Sequence, residues 1–230
     1  MVDIHSHVLP GIDDGSRSVE ESVRMLAQSA RQGITQMVAT PHFYPMENSP
    51  EQFLRRRATA EKALRAAWQT DFPALRMGAE VYYFDGISRN EMLEELRIEG
   101  TELLLLEMPF SAWSERMLRE VQELQSRSGI TVLLAHIERY LRFQKPTVWE
   151  DLRQAGVLMQ SNGEFFLHWR TRKKALRMLK AGQIHMLGSD CHNLESRPPN
   201  LGQALERLDA VQRQRLEEIQ RSYLPEPAVV

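Results

Sequence analysis

Residues 103–137, LLLLEMPFSAWSERMLREVQELQSRSGITVLLAHI, contain two short apolar runs separated by a longer amphipathic segment. The runs Leu103 to Met108 and Ile130 to Ile137 are almost continuously apolar, which is typical of parallel strands covered on both faces. The segment Ser114 to Ser128 between them has a helical pattern, and Gly129 after it is a common helix stop signal. This stretch therefore predicts a strand–helix–strand unit of a parallel sheet.

The same alternation extends over the rest of the chain. Further apolar runs predict strands at Val2 to Ile4, Ile34 to Ala39, Leu75 to Tyr83, Val157 to Gln160 and Ile184 to Gly188. Helical patterns cover about 18–33, 50–70, 86–97, 147–155, 170–181 and 202–222. Seven strands that alternate with helices predict an α/β fold with a parallel sheet. We favour a barrel over an open doubly wound sheet, because no glycine-rich phosphate loop follows the first strand.

Length and composition limit the classes of protein. The 230 residues fit one α/β barrel, so a single domain over residues 1–230 is expected. The formal net charge of −2 argues against a nucleic-acid partner, and the single cysteine excludes an internal disulfide framework. No signal peptide is visible, and no apolar run approaches the roughly 20 residues of a transmembrane helix. A cytoplasmic protein without membrane insertion is expected.

Histidine and carboxylate side chains recur where the predicted strands end. In parallel α/β barrels these ends converge on one face. His5 and His7 lie on the same side of a strand because side chains alternate with period two, and Asp190 and His192 repeat this spacing. The nine candidate metal ligands are His5, His7, Asp14, His42, Glu80, Glu107, His136, Asp190 and His192. His168 and His185 fall outside the pattern.

Each residue taken alone has a simpler explanation. A lone histidine at a strand end is more often a hydrogen-bonded core residue, and Asp14 beside Gly15 is a common turn former. The conjunction of nine such residues favours a metal centre. Imidazole and carboxylate ligands without thiolate suit manganese, iron or zinc, and nine ligands suit two or three ions. Three divalent ions with four carboxylates carry a charge of about +2, which attracts a phosphate dianion.

Five motifs resemble those of the PHP (polymerase and histidinol phosphatase) superfamily. They are DIHSHVLPGIDDGS (3–16), ATPH (39–42), GAEVYY (78–83), AHIERY (135–140) and SDCHNLESRPP (189–199). The chain is most similar to the manganese-dependent tyrosine-protein phosphatases of bacterial capsular and exopolysaccharide loci. The resemblance implies one PHP metallophosphoesterase domain, a distorted (β/α)7 TIM-like barrel, with three divalent metal ions. Mn²⁺ is the expected metal, with iron or zinc as alternatives.

The resemblance also implies roles for particular residues. The first ion would be bound by His5, His7, Glu80 and Asp190, the second by Asp14, His42 and His192, and the third by Glu80, Glu107 and His136. Arg139 and Arg197 match the phosphate-binding arginines of the family; the simpler alternative for Arg139 is a surface salt bridge with Glu138 or a neighbour. The hypothesis is direct hydrolysis of phosphotyrosine on a bacterial tyrosine autokinase, in which a hydroxide that bridges two ions, formed from water that they acidify, attacks phosphorus.

Other interpretations remain open. A small-molecule phosphatase acting on histidinol phosphate or a nucleotide uses the same chemistry, whereas a non-catalytic PHP domain predicts missing ligands. Cys191 and Arg197 have the C-x5-R spacing of cysteine-dependent phosphatases, but the residues between them include no glycine and one carboxylate. The family uses an E-x-x-R helix in ring assemblies, and Glu20, Glu21 and Arg24 fit this pattern. These residues predict a homo-oligomer or, equally, a solvated helix face.

Overall fold

Parallel strands form the centre of the molecule. The computed structural model describes residues 1–225, so the last five residues of the expected 1–230 domain lie outside the described part. The strands of this part are β1 (Val2–Ser6), β2 (Gln36–Ala39), β3 (His42–Phe43), β4 (Ala74–Met77), β5 (Glu80–Tyr82), β6 (Leu103–Glu107), β7 (Thr131–Leu134), β8 (Leu158–Asn162) and β9 (Met186–Gly188). They pair in the orders β1-β2-β4 and β3-β5-β6-β7-β8-β9, and every pair is parallel.

The second and third predicted strands are each divided in two. Pro41, which has no backbone N–H to donate, separates β2 from β3, and Gly78 separates β4 from β5. The register is kept across both interruptions, because Ala39 pairs with Met77 and His42 pairs with Glu80. The nine strands of the described residues thus correspond to the seven predicted ones.

The first and last strands meet and close the ring. The Asp190 N–H donates to the carbonyl of His5 at 2.8 Å, and the His7 N–H donates to the carbonyl of Cys191 at 2.9 Å. Gly188 permits this approach, since a Cβ there would lie 2.6 Å from the Cβ of His5. The predicted α/β barrel is confirmed.

Helices cover the outside of the barrel. They are α1 (Val19–Arg31), α2 (Pro50–Arg65), α3 (Glu115–Gln125), α4 (Pro146–Gln154), α5 (Gly163–Leu167), α6 (Arg172–Lys180), α7 (Leu201–Leu205) and α8 (Ala210–Tyr223). Helix α1 begins as predicted, with the Ser18 hydroxyl accepting from the Glu21 N–H at 3.2 Å. None of the helices of residues 1–225 has both the length and the apolar character needed to cross a membrane.

Two predicted helices differ from the structure. The segment 86–97 forms two 3-10 turns, Ile87–Arg89 and Glu91–Leu96, because Asn90 is extended and its side chain accepts from the Met92 N–H. The predicted helix 202–222 is broken between α7 and α8. There Asp209 is extended and caps the second helix by accepting from the Gln212 N–H at 2.8 Å. The short helix α5 was not predicted.

The packing of β6 shows how the barrel supports its upper face. Leu103 and Leu105 pack in one apolar cluster together with Ile4, Leu133 and Met186 of other strands. The alternate residues of β6 pack in the larger cluster between the strands and the helices. Glu107 continues the first of these two faces, so its carboxylate lies at the end of the barrel interior.

Candidate metal centre

The nine predicted ligands lie together at the carboxyl ends of the strands. Eight of them are buried or nearly so, and Asp14 is the exception, with 68% of its side chain exposed. The loop 7–16 after β1 brings Asp14 over this face. Gly15 is needed there, because a Cβ would lie 2.3 Å from the carbonyl oxygen of His7.

Glu80 lies at the centre of the cluster. Its Oε2 is 3.2 Å from the Nε2 of His5, 3.2 Å from the Nε2 of His7 and 3.0 Å from the Nδ1 of His42. Its Oε1 is 2.8 Å from the Nε2 of His136. Burial opposes the charge of this carboxylate, yet the surrounding imidazoles hold the pKa of Glu80 well below its ordinary value. Glu80 thus contacts four of the candidate histidines through its two oxygens.

Asp190 divides its two oxygens between different partners. Its Oδ1 is 3.5 Å from the Nε2 of His5 and 3.4 Å from the Nε2 of His7. Its Oδ2 is 2.6 Å from the Nη2 of Arg139 and 2.6 Å from the Nη2 of Arg197. The two predicted phosphate-binding arginines therefore converge at the edge of the histidine–carboxylate cluster.

The remaining ligands complete two sides of the cluster. The Oδ1 of Asp14 is 3.5 Å from the Nε2 of His42 and 3.4 Å from the Nε2 of His192. The Oε1 of Glu107 is 3.4 Å from the Nε2 of His136, and its Oε2 is 3.9 Å from the Nδ1 of His42. The cluster thus extends from the exposed loop 7–16 to the end of β6.

Backbone strain is concentrated at two of these residues. Among the non-glycine residues of 1–225, only His136, at 31°, and Asp190, at 53°, have positive φ values. His136 follows Ala135, which packs inside the barrel, and regular alternation would direct its side chain outward. The left-handed conformation instead allows its ring to reach Glu80. Such strain persists where the surroundings fix it, and it is common at functional sites.

The hydrogen bonding of the cluster is incomplete, which suits cation ligands. Five of the candidate ligands each have a buried polar atom without a hydrogen-bond partner: Glu80 Oε2, Asp190 Oδ1, His42 Nδ1, His136 Nδ1 and His192 Nε2. A buried polar atom left without a partner costs roughly 1–3 kcal/mol. Unpaired nitrogens and oxygens of this kind, in a cluster of imidazoles and carboxylates, fit ligands of divalent cations.

The candidate ligands form three sets, and within each set the ligand atoms lie within 4.8 Å of one another. They are His7, Asp14, His42 and His192; His5, His7 and Asp190; and His42, Glu80 and Glu107. His7 and His42 each belong to two of these sets, whereas the resemblance assigns each to one ion. His136 is in none of the three sets and touches Glu80 and Glu107 directly. The division into three ions therefore stays a prediction.

Three residues that support the cluster were not predicted. The Oδ2 of Asp13 is 2.7 Å from the Nδ1 of His7, and it accepts from the His42 N–H at 3.0 Å. The Oε1 of Gln160 accepts from the His136 N–H at 2.6 Å, and Asn162 donates to Asp190 at 2.8 Å. The sequence signal was weak: a second aspartate in GIDDGS, and two polar residues with period-two spacing in LMQSN.

The C-x5-R segment has no free backbone cradle. The side-chain oxygen of Asn193 accepts from the N–H groups of Glu195, Ser196 and Arg197. Cys191 is fully buried, and burial raises the pKa of its thiol. A thiolate nucleophile is thus disfavoured at this position.

Comparison with known proteins identifies one family. A profile of the family described as capsular polysaccharide synthesis, CpsB/CapC, matches residues 1–223. Tyrosine-protein phosphatase CpsB of Streptococcus pneumoniae is 34% identical over 221 residues, covering 89% of this chain and 88% of that protein. Tyrosine-protein phosphatase YwqE of Bacillus subtilis strain 168 is 28% identical over 216 residues, covering 89% of this chain and 82% of that protein.

A solved structure has the same fold. It is described as YwqE from Bacillus subtilis and CpsB from Streptococcus pneumoniae, unique metal-dependent tyrosine phosphatases. It matches with a TM-score of 0.81 at 24% identity, covering 96% of this chain and 93% of that one.

Proposed function

This chain belongs to the CpsB/CapC family of capsular polysaccharide synthesis proteins, and from that premise we propose that it is a metal-dependent tyrosine-protein phosphatase. The family match confirms the resemblance found in the sequence motifs. The proposed reaction is hydrolysis of the phosphoric monoester of tyrosine on a bacterial tyrosine kinase, within capsular or exopolysaccharide synthesis. The observation that carries the proposal is the pair of arginines beside a buried cluster of imidazoles and carboxylates.

Nine residues would hold the cations: His5, His7, Asp14, His42, Glu80, Glu107, His136, Asp190 and His192. We propose three divalent ions, with manganese as the natural metal, because the donors are imidazole nitrogens and carboxylate oxygens without thiolate. When bound, such ions supply Lewis acidity toward phosphoryl oxygens and water. A centre of four carboxylates and three divalent ions has a charge of about +2, which favours a phosphate dianion.

Arg139 and Arg197 would orient the phosphoryl group. Each side chain is about one-third exposed, at 35% and 33%, and each uses one nitrogen to contact Asp190. The shared carboxylate holds both guanidinium groups in place, and their other N–H groups are available to phosphoryl oxygens. Phosphoryl transfer depends mainly on positioning and charge neutralisation, and the two arginines would contribute both to the phosphoryl group.

The leaving group needs little help from a proton donor. The conjugate acid of a phenolate has a pKa of about 10, so tyrosine leaves more readily than a serine alkoxide. Because Cys191 is buried, its thiol does not reach the substrate, and water is the proposed nucleophile. The expected products are the free tyrosine side chain and inorganic phosphate.

A substrate panel tests the proposal. With manganese added, turnover of a phosphotyrosine peptide should exceed turnover of a phosphoserine peptide and of histidinol phosphate. Arg139→Ala should lower kcat/KM by roughly 10- to 100-fold, the value of a lost charge-assisted hydrogen bond. Arg142→Ala is the matched control. Arg142 is an exposed arginine three residues after Arg139, and its Cζ lies 4.5 Å from the centroid of the Phe143 ring. Equal or greater activity on histidinol phosphate would establish the small-molecule phosphatase instead.

We also propose a cytoplasmic, single-domain protein that assembles into a homo-oligomer through α1. Glu20 and Arg24 are exposed on this helix, whereas Glu21 accepts from the Arg17 N–H at 2.9 Å. Sedimentation of the wild type and of Arg24→Ala tests the assembly. An oligomer that Arg24→Ala dissociates supports it, and a monomeric wild type contradicts it.

A further inference from the structure

Two aromatic rings cover two of the candidate metal ligands. Tyr44 stacks on His42 with ring centroids 5.0 Å apart and an interplanar angle of 23°. Phe110 stacks on His136 at 5.8 Å and 25°. These pairs come from different parts of the chain, yet they share one geometry: a nearly parallel ring placed on a ligand imidazole.

The two covered histidines contact the same carboxylate. Glu107 reaches His136 through Oε1 at 3.4 Å and His42 through Oε2 at 3.9 Å. Tyr44 and Phe110 thus stack on two imidazoles that contact the two oxygens of Glu107. Tyr82 joins them, because it pairs with Glu107 in the sheet and its ring centroid is 5.7 Å from that of Tyr44. We call Tyr44, Tyr82 and Phe110 the aromatic wall.

The aromatic wall and the arginines lie at neighbouring strand ends of the barrel mouth. The wall lies at or after the ends of β3, β5 and β6, whereas Arg139 follows β7 and Arg197 follows β9, and β6 pairs with β7. The strand ends thus present apolar ring surface next to guanidinium groups held by Asp190. An ester with a charged head and a flat apolar body matches both groups at once.

Phe110 leaves much of its ring open to a ligand. It is 47% exposed, one of the few large apolar side chains of residues 1–225 with this much accessible surface. Its orientation is fixed by a second stack, on Tyr140 at 5.4 Å. A rigid, exposed ring beside a charged cluster gains free energy when an apolar partner covers it.

We propose that the aromatic wall is a slot for the ring of an aryl phosphate, and that Phe110 makes the protein prefer aryl over alkyl phosphoesters. This inference rests on the proposed phosphatase function and names the residues that determine its specificity. A phenyl ring can stack against Phe110 while its phosphoryl group meets the arginines. A serine phosphoester has no ring to make that contact.

The size of the effect follows from ring pairing. A stacked aromatic pair contributes about 0.5–1.5 kcal/mol beyond the burial of its surface. Loss of the Phe110 ring should therefore lower the aryl-to-alkyl preference roughly three- to tenfold.

The first measurement is binding by the manganese-loaded protein. The wild type should bind phenylphosphonate more tightly than methylphosphonate in calorimetric titrations, and Phe110→Ala should remove most of this difference. Trp169→Ala is the matched control, because Trp169 is 71% exposed and stacks on His168 at 6.2 Å outside the cluster. This control should keep the wild-type ratio, and Phe110→Tyr, which keeps a ring, should restore it.

The second measurement is turnover. The ratio of kcat/KM for a phosphotyrosine peptide to that for a phosphoserine peptide should fall three- to tenfold in Phe110→Ala, mainly through KM. If the variant keeps both wild-type ratios, the slot is wrong while the phosphatase stands. If the wild type turns over neither peptide but Phe110→Ala still removes its phenylphosphonate preference, the phosphatase is wrong while the slot stands. Equal binding of the two phosphonates by the wild type overturns the slot.

Discussion

At the scale of single residues, Asp13 shows how the fold prepares a ligand. Its carboxylate is 2.7 Å from the Nδ1 of His7, whereas the Nε2 of the same ring faces Glu80 at 3.2 Å. Burial disfavours charge on both groups, but their contact lowers the pKa of Asp13 and raises the pKa of His7 well above its ordinary value. An ionised Asp13 accepts a hydrogen bond from the Nδ1–H and so orients the ring with Nε2 toward the cluster, where a cation would replace the Nε2 proton.

Asp13→Ala should therefore weaken manganese binding. We expect a 10- to 100-fold loss of affinity in calorimetric titrations, the usual effect of removing the partner that orients a ligating histidine. Asp85→Ala, which removes an exposed carboxylate outside the cluster, is the control. An affinity equal to that of the wild type would show that Asp13 only stabilises its loop.

Cys191 gives a second prediction at this scale. Its thiol is fully buried and burial raises its pKa, so a thiolate is scarce at neutral pH. Cys191→Ser should keep phosphatase activity within about threefold, since no step uses the thiol. Iodoacetamide should leave the wild type active, whereas a chelator should abolish its activity. Inactivation by the thiol reagent and resistance to the chelator would reverse the assignment.

At the scale of elements, strand positions could be predicted from the sequence better than the contacts between them. The apolar runs fixed the seven strands, and the strand-end rule brought His5, His136 and Asp190 to one face. The break at Asn90 depends on a side chain competing with the helix for a backbone N–H, which a hydrophobic pattern does not record.

The supporting contacts were missed for a related reason. Gln160 accepts a hydrogen bond from the backbone of His136, 24 residues earlier in the chain, and Asn162 donates one to Asp190, 28 residues later. Such partners are set by the neighbours of β8 in the barrel, and a single strand sequence does not specify them. Strand ends predict which residues meet, whereas hydrogen bonds between strands decide how they are held.

The pairing of β8 with β9 carries a pH-dependent element. The Nδ1 of His185 accepts from the Met159 N–H at 3.0 Å, which requires a neutral ring. Burial, with Arg153 and Arg215 nearby, lowers the pKa of His185 to about 4 from 6.5. The unfolded chain therefore takes up this proton first as the pH falls from 6.5 to 4, so the stabilisation present above pH 6.5 is lost in that window.

His185→Gln should remove this dependence. We expect the free energy of unfolding of the wild type to fall by about 2 kcal/mol more than that of the variant between pH 7 and pH 4. Urea denaturation at both pH values measures the difference. His168→Gln, at an exposed histidine, should match the wild type. Parallel pH curves for wild type and His185→Gln would rule out the contribution.

At the scale of the whole molecule, the ligand cluster depends on the closure of the barrel, because it includes residues from both sides of the closing seam. His5 lies in β1 and Asp190 comes two residues after β9, and the Asp190 N–H donates to the His5 carbonyl at the seam between these strands. Glu80, Glu107 and His136 come from strands in between or from the turn after them. A cation held by such residues binds only when the ring is closed, so binding and folding must be coupled.

This coupling predicts a thermal shift. Manganese at about 100 times its dissociation constant should add about 2.7 kcal/mol for one site, because it binds the folded chain alone. For a domain of this size that corresponds to a rise in Tm of roughly 5–10 °C. Scanning calorimetry with manganese and then with excess chelator measures it. His5→Gln, which removes a ligand at the seam, should shrink the shift, whereas His168→Gln should keep it. If manganese leaves the Tm unchanged, the residues at the strand ends do not bind it in the folded chain, and the predicted coupling is wrong.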